Sequence, residues 1–140
     1  SNCSLPVLRA LFEAPEAKVK PAVVQNRFYE DTLFDTELRI FCRENRIIYQ
    51  SFWTLTANPD LVRSDAVQQL ARQAQISPAA ALYTLVMGLG DIAVLNGTTN
   101  EGRMKEDLAA PLAVEKFIKT HPDQWQQDLA EFRVMVGDPN

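Results

Sequence analysis

A chain of 140 residues with 46% hydrophobic residues can bury one real core, and a formal net charge of −4 offers no basic field to nucleic acid or an anionic membrane. No apolar run approaches the ~18 residues of a membrane span. Ser1-Asn2-Cys3-Ser4 lacks a signal-peptide pattern, and the absence of an initiator Met suggests that the chain begins inside a longer product. Cys3 and Cys42 lack metal-ligand spacing, so both are expected as reduced thiols of a cytoplasmic protein without a metal site.

A short first helix is expected around Leu5 to Phe12, closed off by Pro15, the Lys18-Val19-Lys20 stretch and Pro21. The apolar run Ala22-Val23-Val24-Gln25 is short enough for a buried strand. From Leu33 to Arg43, Phe34, Leu38, Phe41 and Cys42 follow the spacing of one helical face, with Asp31 or Thr32 as the expected cap. Ile47 to Trp53 is β-branched and aromatic and predicts a second strand, after which Thr54 to Arg63, containing Asn58-Pro59-Asp60, predicts a loop.

Two helices follow, one carrying Val67, Leu70, Ala71 and Ala74 and the other Leu82, Leu85, Val86 and Leu89. Ser77 suits the cap of the second, Pro78 its first position, and Gly88 and Gly90 its end. Ile92 to Leu95 predicts a third strand. Trp125, Leu129, Phe132 and Val136 repeat as an amphipathic helix starting near Pro122, and His121, the single histidine, reads as a loop residue between helices.

Repeated βα units with near-continuous apolar strands imply an α/β protein, either an open doubly wound parallel sheet or a (β/α)8 barrel. Three strands alone leave two unpaired edges, and a whole barrel needs at least ~200 residues, so the chain can be no more than part of one. Asn96 to Asp107 passes from the third strand into a charged helix. Free N–H groups at such a helix start favour a phosphate, and Arg103 lies about one turn inside, within reach of it.

The segments Ser1-Asn2, Lys20-Pro21-Ala22-Val23-Val24-Gln25-Asn26-Arg27-Phe28-Tyr29, Tyr49-Gln50-Ser51-Phe52-Trp53-Thr54-Leu55, Gly97-Thr98-Thr99-Asn100 through Arg103, and Glu106-Asp107 occur in the order and spacing of aldo-keto reductases. Nearly the whole chain resembles the C-terminal part of such an enzyme, in versions similar to fungal members. The resemblance implies a partial (β/α)8 TIM barrel: strands 6 to 8, helices 5 to 8 and the C-terminal helix, with residues 1–140 forming one incomplete domain.

In that family the Ser-Asn pair and the sixth-strand Gln hold the nicotinamide carboxamide, which implies this role for Ser1, Asn2 and Gln25; amides and hydroxyls can match both its donor and its acceptor. Phe52 stands where a Tyr more often stacks on the nicotinamide ring. Thr54, Leu55 and Thr56 are implied along the pyrophosphate, Thr98 and Arg103 at the adenosine 2′-phosphate, and Glu106 and Asp107 at the adenine. Gly97 replaces a frequent Lys, which leaves NADH possible beside NADP(H). The family's catalytic Asp, Tyr, Lys and His come from the first half of the barrel, so none is expected here and the chain alone is expected to be inactive.

Outside the resemblance, Gln25 can satisfy buried backbone groups, Arg103 can be a solvated helix residue, and Trp53 is expected in the core. Two functions therefore stand open. One is the cofactor-binding portion of a reductase that converts aldehydes or ketones to alcohols, partnered by the missing N-terminal half of the barrel. The other is a non-catalytic partial barrel that forms a homo-oligomer through its sheet edges. A solitary nucleotide-binding module would leave the outer strands unpaired.

Overall fold

Three β-branched segments become three short parallel strands in the computed structural model, which describes residues 1–138. β1 (Val23–Arg27), β2 (Ile48–Phe52) and β3 (Ile92–Val94) lie side by side in chain order. The register sets Val23 beside Ile48, Arg27 beside Phe52 and Tyr49 beside Ile92. α1 (Leu5–Glu13) precedes β1, and α2 (Thr36–Glu44) joins β1 to β2. Between β2 and β3 run α3 (Pro59–Arg63), α4 (Asp65–Ala74) and α5 (Pro78–Gly88), while α6 (Glu101–Thr120) and α7 (Pro122–Met135) follow β3.

Alternation along the strands divides the sheet into two unequal faces. Val24, Tyr49 and Ile92 point into a core shared with Phe41 of α2, Leu70 of α4, Leu85 of α5 and Phe132 of α7. The other face carries Val23, Gln25, Arg27, Ile48, Gln50 and Phe52, and none of these is buried. Val23 is 50% and Ile48 38% exposed. Parallel sheets are ordinarily covered on both faces, so this one is half dressed.

Helix signals translate well where capping chemistry is explicit. Ser77 Oγ accepts from Ala80 N at 3.2 Å, and Pro78 opens α5. Gly88 ends the same helix, and Gly90 takes a φ of +97° just beyond it. A Cβ on Gly88 would lie 3.0 Å from Leu129 Cδ1 and 3.1 Å from Trp125 Cζ2, so the missing side chain lets α7 approach. The Trp125, Leu129, Phe132 and Val136 stripe is buried as its spacing predicts.

Two predicted boundaries are corrected. The helix expected from Leu33 begins at Thr36, because Glu30–Asp35 forms a 3-10 turn in which Leu33, Phe34 and Asp35 hold left-handed φ of 50°, 53° and 51°. Neither Asp31 nor Thr32 caps α2; the Thr32 hydroxyl donates to Tyr29 O. The left-handed turn costs on the order of 1 kcal/mol per residue. It aims the Asp35 carboxylate at Asn26 Nδ2 (2.8 Å) and Tyr49 Oη (2.9 Å), two buried donors that need an acceptor. The predicted loop Thr54 to Arg63 likewise ends in α3, a short helix with Pro59 in its first turn.

Cys42 is buried, and burial followed by the nearby Asp35 pushes its thiol up to about 12, an inert packing residue. The C-terminal segment is clasped by charge: Asp138 is fully buried and accepts from Arg39 Nη1 at 2.5 Å and Arg43 Nη1 at 2.9 Å. Thr36 Oγ1 donates to Val136 O beside it. No helix among the described residues is long and apolar enough to cross a membrane.

Candidate functional site

Because all three strands are parallel, their C-terminal ends and the loops that leave them gather at one end of the sheet. The loop after β2 is built from its own polar groups. Ala57 N donates to Trp53 O (2.9 Å) and Asn58 N to Leu55 O (3.1 Å), while the Ser51 and Thr54 hydroxyls meet at 2.5 Å. The Asn58 side-chain amide then donates to Phe28 O (2.7 Å) and Thr54 O (3.0 Å), fastening this loop to the one after β1.

The loop after β3 is templated in the same way. Thr98 N donates to Asn96 Oδ1, Asn100 N to Thr98 Oγ1, and Arg103 N to Asn100 Oδ1, each at 3.0–3.1 Å. Asn100 is thus the N-cap of α6. Its side chain takes the Arg103 backbone N–H, so that donor is not free for an anion as the sequence alone led us to expect. The Asn96 amide donates to Asp107 Oδ2, tying the loop to the second turn of α6.

These loops enclose a cavity of about 830 Å³. Gln25, Phe52, Thr54, Leu55, Thr56, Thr98, Arg103, Glu106 and Asp107 all line it, drawn from β1, β2 and its loop, the loop after β3 and the start of α6. Ser1 and Asn2 are not among the lining residues. Asn2 instead runs along the outer edge of β1, donating its backbone N–H to Gln25 O at 2.9 Å, and Ser1 is exposed. The Gln25 carboxamide makes no hydrogen bond to a described residue, so it is not satisfying buried backbone. Arg103 is exposed, and its guanidinium pairs with no described carboxylate.

No protein-family model matches the chain, and the search of curated proteins found no match.

Trp53 corrects the expectation of a core aromatic. A φ of +55° turns it out of the strand pattern, and it stands 56% exposed on the cavity wall. Asn96 and Tyr83 are lining residues that the sequence reading passed over. Burial, then the Asp107 charge, raises the Tyr83 hydroxyl above its ordinary value, so it serves as a neutral hydrogen-bonding group. His121 stands between α6 and α7, stacked on Phe117 at 5.3 Å. Among the described residues no cluster of three or more His, Cys, Asp or Glu could hold a metal ion.

A second, more apolar cavity of about 870 Å³ runs between α5 and α6 and includes Met87, Met104, Leu108 and Trp125 in its wall. Leu108 and Leu112, on α6, are 80% and 73% exposed.

Proposed function

We propose that the chain is the cofactor-binding portion of an NADP(H)-dependent aldo-keto reductase barrel, contributing strands 6 to 8, and that alone it is catalytically inactive. The observation that carries this reading is the convergence of Gln25, Phe52, Thr54–Thr56, Thr98, Arg103, Glu106 and Asp107, distant in sequence, on one cavity at the strand ends. Ligands of α/β sheets gather at that end.

The residues present suit the parts of a nicotinamide dinucleotide. An unpaired carboxamide on Gln25 can pair with the nicotinamide amide, and the half-buried Phe52 offers a flat apolar ring for stacking. The turn Thr54–Thr56 would hold the pyrophosphate, and Thr98 with the unpaired Arg103 would hold the 2′-phosphate. Glu106 and Asp107 face the adenine. Bound there, the cofactor supplies hydride to an aldehyde or ketone. Proton donation falls to a partner half of the barrel, which would also cover the open sheet face.

Equilibrium titration of the chain with NADPH and NADH tests the assignment. Arg103→Ala is expected to weaken NADPH about tenfold, the scale of one charge-assisted hydrogen bond, and to leave NADH unchanged. Equal weakening of both, or no binding of either, overturns it.

The open sheet face favours a second reading: a non-catalytic partial barrel that associates with its own copies through that face and its strand edges. A homo-oligomer in native mass spectrometry that is indifferent to NADPH would select it.

A further inference from the structure

Arg27 ends β1 directly beside Phe52, on the same sheet face as Gln25. Its guanidinium lies 4.3 Å from the centre of the Trp53 ring and 4.9 Å from that of Tyr29, so two aromatic faces hold the side chain. The left-handed turn at Trp53 is what brings that ring into place. The stack supplies no hydrogen-bond acceptors in the plane of the guanidinium. The Arg27 guanidinium makes no hydrogen bond or ion pair with a described residue, and its Nε is buried without a partner. Of the five N–H donors of the guanidinium, the Nε–H is thus shut off from water as well, and leaving it unanswered is costly. The same residue lines a polar cavity of about 570 Å³ with Glu30 and Asp31, which has Trp53 and Thr56 in common with the wall of the cavity of about 830 Å³.

We infer that Arg27 is an anion anchor that takes the carboxylate of a small organic ligand between the Trp53 and Tyr29 rings, next to Phe52. A fixed fork of N–H donors matches a carboxylate bidentately, and the rings supply orientation before the ligand arrives. Glu30 and Asp31 on the cavity wall disfavour dianions and accept from ligand hydroxyl or ammonium groups, which selects a monocarboxylate that also carries such a donor. Where the chain serves a reductase, as proposed above, the substrates are carbonyl compounds bearing a carboxylate.

The full chain, labelled with nitrogen-15, would be titrated with sodium lactate while the Trp53 indole N–H resonance, present in every Arg27 variant, is followed, with sodium chloride at equal ionic strength and sodium pyrophosphate in parallel. The expected result is a saturable shift with lactate, absent with chloride, weakened about tenfold or more in Arg27→Lys and lost in Arg27→Gln. NADPH titration of Arg27→Gln keeps the two hypotheses separate. NADPH binding that survives while the lactate response is lost supports the anchor. A lactate response in a parent chain that binds no NADPH supports the anchor and overturns the reductase reading. A shift that does not saturate, an equal shift with chloride, stronger binding of pyrophosphate than of lactate, or lactate binding retained in Arg27→Gln overturns it. Should Arg27→Gln fail to fold, the parent titrations and Arg27→Lys decide.

Discussion

Gly97 sits on the cavity wall with no atom within 4 Å of where a Cβ would stand, and its φ lies outside the left-handed region. A lysine there is sterically free to reach the phosphate assigned to Thr98 and Arg103. Gly97→Lys is expected to tighten NADPH by about fivefold relative to NADH at low salt, an effect that fades as ionic strength rises. Equal tightening of both cofactors in titrations would place the added charge at the pyrophosphate instead. Asp128 is a different kind of residue, a fully buried carboxylate whose Oδ1 accepts from Gln124 Nε2 at 2.9 Å while Oδ2 has no partner. Burial raises its pKa, the Gln124 hydrogen bond opposes this, and Glu131 adds to the rise. The folded carboxyl therefore binds its proton more tightly than the unfolded one. Its contribution to stability is full below the unfolded pKa and lost as pH rises through the folded value. Asp128→Asn is expected to raise the Tm at neutral pH, with the gain shrinking in acid; a lower Tm at pH 7 would contradict this. Gln25 and Arg103 could be singled out from sequence because flanking motifs gave them a context. Trp53 could not, since the Phe-Trp pair reads as ordinary strand alternation and nothing in its spelling announces a positive φ.

At the scale of elements, apolar periodicity and explicit caps located the strands and most helices. What it missed, the late start of α2 and the presence of α3, depends on partners remote in sequence. Asp35 adopts its left-handed turn to meet Asn26 and Tyr49, and no local pattern encodes that appointment. The clasp between α2 and the C-terminal segment was equally invisible, because Arg39 and Asp138 are separated by 99 positions. Burial alone would raise the Asp138 carboxyl, but hydrogen bonds and charge from Arg43 and Arg39 outweigh it and hold the group below its ordinary value. Its stabilising contribution is thus present above the unfolded pKa and lost as pH falls through the folded one. Asp138→Asn leaves Arg39, 1% exposed, without its counter-charge, a loss of about 3 kcal/mol at neutral pH. Urea unfolding at pH 7 and in acid should show the gap between parent and variant closing as pH falls. A gap independent of pH would mean that packing, not charge, does the clasping.

For the molecule as a whole, the three-stranded parallel sheet with helices on one face follows from the repeated βα pattern. What covers the open face could not be read from the sequence. Val23 and Ile48 on the bare face, with Leu108 and Leu112 on α6, present apolar surface to water. The monomeric chain is expected to bind a hydrophobic fluorescent dye strongly, and assembly with a partner or a copy should suppress the signal. A monomer with little dye response would show that this surface is better protected than its exposure implies. Both ends of the described chain are fastened to one corner. Asn26 grips the backbone of Cys3 and is itself held by Asp35, while Thr36 and Arg39 grip Val136 and Asp138. Tension applied to the two ends would therefore run through Asn26 of β1 and the five residues Asp35 to Arg39, and leave β2 and β3 largely unloaded. The molecule is short-circuited mechanically, and whatever is attached at either end pulls first on that corner and only later on the cavity it helps to frame.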